Sequence, residues 1–203
     1  MSKKKRYLCG FAFLLMSAGS VMASEIACGA LHSMLELARA DSFASLMANR
    51  PRIDEGYRGR LVFAFKLFDL SRDSKSAEHL LSMLPKNERE YQIWITMGDA
   101  LCDSETVSDM EAMQKLSLGF SSLASQAAIL HPAGIPSLLR TVMLSVQDPH
   151  SDLALKLEPI CRSRHAAFRE AMQKMTPDNR AWFESRAFDV VQCKALVSPE
   201  SDD

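Results

Sequence analysis

Apolar residues recur every three or four positions along most of the chain, the spacing that lines one face of an α-helix. Ile26, Ala30, Leu31, Met34, Leu35 and Ala38 mark a first helix from Ser24 to about Ala38, and a short one follows from Ser42 to Ala48. Pro51 and Gly56 punctuate the break after it. From Tyr57 to Leu70 the run Leu61-Val62-Phe63-Ala64-Phe65-Lys66-Leu67-Phe68 is aromatic enough for a strand to compete with a helix. Helix is preferred, because no neighbouring stretch offers a pairing strand, and the three phenylalanines are expected to anchor the core. Ser74 to Leu84 is a compact helix stopped by Pro85, and Asn87 caps another running to about Cys102.

Thr106 to Leu130 holds the longest uninterrupted pattern, closed by His131-Pro132. Ile135 to Val146 follows, with Pro136 in its first turn where a missing N–H costs nothing. The stretch from Asp148 to Cys193 then forms two helical arms about Met175-Thr176-Pro177-Asp178-Asn179. Pro159 inside the first arm is expected to kink or split it. The fold class is therefore all-α, with seven to nine helices in antiparallel hairpins. They form either a bundle or a short stack resembling helical repeats, and disulfides staple it.

The N-terminus adds a location. Lys3-Lys4-Lys5-Arg6, an apolar run from Tyr7 to Met22 and small residues at Val21 and Ala23 make a secretory signal peptide, with cleavage expected after Ala23. The organisation expected is a signal peptide over 1–23, one helical domain over 24–197, and a polar, disordered tail over 198–203. A periplasmic or secreted protein of the bacterial envelope follows. Attachment of lipid at Cys28 is disfavoured, because Glu25 stands where such sites want an apolar residue.

Charge narrows the partners. The chain carries 24 Lys plus Arg against 25 Asp plus Glu, and the leader holds four of the bases and none of the acids. The mature chain is thus mildly acidic, with neither the basic face of a nucleic-acid binder nor a polybasic tract for membranes.

Cys28, Cys102, Cys161 and Cys193 remain after cleavage, and an even set in an exported chain favours disulfides over a metal site. Cys161 lies sixteen residues before Pro177 and Cys193 sixteen after it. Two helical, antiparallel arms would set these sulfurs at equal height, so Cys161–Cys193 is the expected bridge, leaving Cys28–Cys102.

Candidate chemistry is sparse. Asp148, His150 and Asp152, with His165 on the following arm, are the most site-like group, suited by residue type to a divalent metal or small ligand. Helix capping and turn formation account for the same residues. No Gly-x-Ser-x-Gly, His-Glu-x-x-His or phosphate-binding loop occurs, so no residue is assigned a catalytic role and no cofactor or metal is implied. The 12 methionines fall mainly on apolar stripes, where core packing accounts for them. The function expected is a protein-binding module, of the inhibitor or immunity type. The alternative is an exported helical enzyme or small-ligand binder using Asp148–Asp152 and His165.

Overall fold

The computed structural model describes residues 36–50, 56–95, 107–145 (backbone alone over 107–118) and 156–183. Among them every regular element is helical and none is a strand. After a helical stretch at 36–39, nine α-helices follow in order. They are α1 (Phe43–Ala48), α2 (Tyr57–Ser71), α3 (Ser74–Met83), α4 (Glu88–Ile95), α5 (Val107–Leu130), α6 (Ile135–Leu144), α7 (Leu157–Ser163), α8 (His165–Gln173) and α9 (Pro177–Trp182). A short 3-10 turn, Pro132–Gly134, joins α5 to α6.

Their starts are written in the sequence. Ser42 accepts a hydrogen bond from the Ser45 N–H to cap α1, and Asp73 accepts one from the Ser76 N–H, at 2.7 Å, to cap α3. Asn87 caps α4 through the Glu90 N–H, while the Glu90 carboxylate accepts the Lys86 N–H, so two donors at that end are satisfied reciprocally. Thr176 caps α9, whose first residue is Pro177.

Helix α2 is the centre. Leu61, Val62, Phe63, Ala64, Phe65 and Phe68 are all buried, so the helix is covered on nearly every side. This is why its sequence looked ambiguous: a helix packed all round loses the polar face that gives a helix its period. It packs on α1, α3, α4 and α5, and α3 in turn packs on α5 and α6. Phe65 stacks on Phe120 of α5 with ring centroids 4.0 Å apart, and Trp94 of α4 tilts against the same Phe120. The expected phenylalanine anchor is therefore present, with Phe120 as its partner. Beyond it, α7 packs on α5 and α8 on α6, and the buried side chains from Leu37 to Phe183 form one contiguous cluster.

Buried hydroxyls fasten helix to helix. Ser125 on α5 donates to the Lys156 carbonyl at 2.7 Å, and Tyr57 at the start of α2 donates to the Met83 carbonyl at the end of α3. Burial raises the Tyr57 phenol well above its usual value, so it stays protonated and keeps donating. Among the described residues no helix is long and apolar enough to cross a membrane.

The arm after residue 156 is split in two, one of the outcomes expected of it, but the break is not at Pro159. Pro159 does not kink it, because Pro159 occupies the first turn of α7, where no intrahelical N–H bond is required. The break falls at Arg164, between α7 and α8. Its guanidinium donates to the Ile129 carbonyl at 2.7 Å, satisfying an acceptor in the last turn of α5. The first arm is therefore two helices rather than one. Cys161 is fully buried on α7 and is the single cysteine among the described residues; Cys28, Cys102 and Cys193 lie outside them, so no pair of sulfurs is defined.

Candidate binding groove

Three helices each lend one row of side chains to a groove on the face of the bundle. Residues four apart on a helix share a face. Phe43 and Met47 come from α1, Phe63, Leu67 and Ser71 from α2, and Lys75 and His79 from α3. Arg50, just past α1, and Asp73, before α3, complete a half-open cavity of about 370 Å³.

The floor is apolar and fixed by the core beneath it. Phe63 is nearly buried, and the His79 ring stands edge-on to it with centroids 6.4 Å apart. The rim is different: Phe43 is 54% exposed, an aromatic side chain presented to solvent although Leu46 on the same short helix is wholly buried. Thus α1 is pinned by Leu46 and its Ser42 cap, and it holds Phe43 outward over the groove.

Electrostatics around the groove are basic with one acid. Among the described residues Arg50 and Lys75 are in no ion pair, and both are exposed. Hydrogen bonds from the backbone and side chain of Ser76 hold the Asp73 carboxyl below its usual range, with help from Lys75. That acid is engaged as the cap of α3. Partial burial pushes the His79 imidazole below its ordinary pKa of 6.5, and the nearby Arg50 charge adds to the shift. At neutral pH His79 is therefore an uncharged ring, suited to stacking and hydrogen bonding.

A second, more polar cavity of about 550 Å³ lies between α2 and α5, lined by Arg39, Lys66, Asp69, Arg72 and Gln126 among others. Within it Arg72 pairs with Asp69, donates to Gln126, and lies over the Phe68 ring at 5.5 Å. Arg72 thus acts as a clasp between the end of α2 and α5.

Of the residues singled out from the sequence, Asp148, His150 and Asp152 lie outside the described residues. His165 is half-buried at the first position of α8, its Nε2 3.4 Å from an Arg169 guanidinium nitrogen. No group of three His, Cys, Asp or Glu side chains converges on a metal-sized site among the described residues. The groove was missed in the sequence. One signal was there: Phe43 and Met47, four apart, form an apolar row beside the buried Leu46, more apolar surface than a six-residue helix needs for one contact.

No family model, curated protein or solved structure matches the chain. The reading of the groove rests on its own geometry.

Proposed function

We propose that the chain is an exported protein-binding module of the bacterial envelope, of the inhibitor or immunity type, which meets its partner through the groove between α1, α2 and α3. The observation that carries this reading is Phe43, held 54% exposed by a capped and anchored helix beside an apolar floor of Met47, Phe63 and Leu67. A fixed aromatic next to an apolar recess is the usual form of an interface anchor, because its burial on binding recovers a large area at small entropic cost.

Export is part of the same proposal and draws on Lys3-Lys4-Lys5-Arg6 followed by the apolar run to Met22. So is a bridge from Cys161. Its side chain is wholly buried, and Cys193 remains the proposed partner. The acidic balance of residues 24–203 supports a protein partner over nucleic acid.

The test compares two baits in envelope extract, the wild-type chain and Phe43→Asp, after matched thermal melts establish that both are folded. The reading expects proteins that the wild type retains and the variant loses. Identical retention by both baits, or no retained protein, contradicts it.

A further inference from the structure

The groove carries more than an apolar floor, and its charges say what kind of segment it fits. Arg50 and Lys75 project from the rim with no carboxylate paired to either among the described residues. Asp73, the single acid among the described lining residues, is directed into the first turn of α3 by its bond to the Ser76 N–H. The groove is thus a locally cationic patch on a chain whose acids outnumber its bases from residue 24 onward. Unpaired cations beside an exposed aromatic favour a ligand that brings both an apolar side chain and a negative charge, since each cation then gains a charge-assisted hydrogen bond.

We propose that the occupant is a segment of a partner protein presenting a large apolar side chain flanked by carboxylates. The apolar side chain enters between Phe43 and Phe63, and the carboxylates meet Arg50 and Lys75. This rests on the protein-binding reading and names the chemistry of its partner. A free amphiphile such as a fatty acid fits less well. A small ligand normally has most of its surface enclosed, whereas this cavity of about 370 Å³ is open along one side.

Fluorescence anisotropy on the full chain tests it with three labelled peptides: one containing Glu-Phe-Leu-Glu, one with Gln for both Glu residues, and one with Lys. The acidic peptide is expected to bind at least about fivefold tighter than the Gln peptide at about 0.1 M salt, an advantage that shrinks at about 1 M. The double variant Arg50→Glu, Lys75→Glu is expected to erase that preference. These positions are exposed, so the variant is expected to fold, which its melting curve checks. Phe43→Ala is expected to weaken the acidic and Gln peptides alike. Equal binding of acidic and Gln peptides overturns the charge inference and leaves the protein-binding reading standing. Binding of laurate with no binding of any peptide overturns both. If no probe binds, the segment inference falls, and the Phe43→Asp comparison decides the broader reading by itself.

Discussion

Gly134 shows how one residue is fixed by its neighbour rather than by its own backbone. A Cβ built there lies 2.8 Å from Leu81 Cβ and 3.0 Å from Leu81 Cγ, closer than real side-chain carbons approach. The absence of a side chain is what lets the turn before α6 sit against α3. Gly134→Ala is expected to cost ~1–3 kcal/mol of unfolding free energy by urea titration, as overpacking of a tight contact does. An unchanged midpoint would mean that α3 yields freely there. Arg72 is the opposite case, a non-glycine held left-handed at φ 51° at the end of α2. Its side chain offsets the strain by pairing with Asp69 and Gln126 and by lying over Phe68. Arg72→Ala keeps the strain and loses the clasp, whereas Arg72→Gly loses both. The glycine variant is therefore expected to be the more stable of the two by ~1 kcal/mol. A more stable alanine variant would show that the left-handed turn carries no strain.

At the scale of elements, most of the helices were legible because their signals are local. Ser42, Asn87, Pro85, Pro132 and Pro136 start or stop helices by capping and by missing N–H groups, and the structure places them in those roles. The break at Arg164 was not legible, since it depends on a carbonyl of α5 that lies 35 residues away. A split arm was expected, but at Pro159, which instead sits in the first turn of α7; a proline's effect depends on its distance from the helix start, which local pattern did not locate. The burial of α2 makes its phenylalanines costly to truncate. Phe65→Ala is expected to lose ~3–5 kcal/mol, since it empties the stack on Phe120 at the centre of the bundle. Denaturant unfolding measures this.

Helix α3 also carries the main pH dependence proposed here. His79 faces Arg50 after α1 and Asp73 and Lys75 at the start of its own helix, while α2 offers it only Phe63, Leu67 and Ser71. Its folded pKa lies below its ordinary 6.5. The unfolded chain therefore takes up the proton first, so the stability that neutral His79 contributes is present above about pH 6.5 and is lost as pH falls through the folded value. Melting temperatures between pH 7.5 and pH 5 are expected to fall more steeply for the wild type than for His79→Gln. Parallel curves would contradict this.

At the scale of the whole molecule, the all-helical class was visible because amphipathic periodicity survives any arrangement of the helices. The groove was not, because it is made of three rows that come together only when α1, α2 and α3 pack. Phe63/Leu67 and Lys75/His79 are each unremarkable alone, and the Phe43/Met47 row does not say which helices it meets. The expected site at Asp148, His150 and Asp152 falls outside the described residues, and among those described His165 stands beside Arg169. The proposed bridge from Cys161 is testable at this scale. Reduction by dithiothreitol is expected to cost the wild type ~2–4 kcal/mol more than it costs Cys161→Ala, by the loop-entropy argument. Equal melting of oxidised and reduced wild type would eliminate the bridge.

The central claim is that partner recognition takes place between α1, α2 and α3, and photo-cross-linking addresses it most directly. A Glu-Phe-Leu-Glu peptide carrying benzoylphenylalanine in place of Phe is irradiated with the full chain, and the adduct is located by tandem mass spectrometry. The account expects adducts at Phe43, Met47, Phe63 or Leu67, abolished by excess unlabelled peptide. Adducts centred on Leu130, the other exposed large apolar side chain among the described residues, or scattered over the surface without competition, would contradict it.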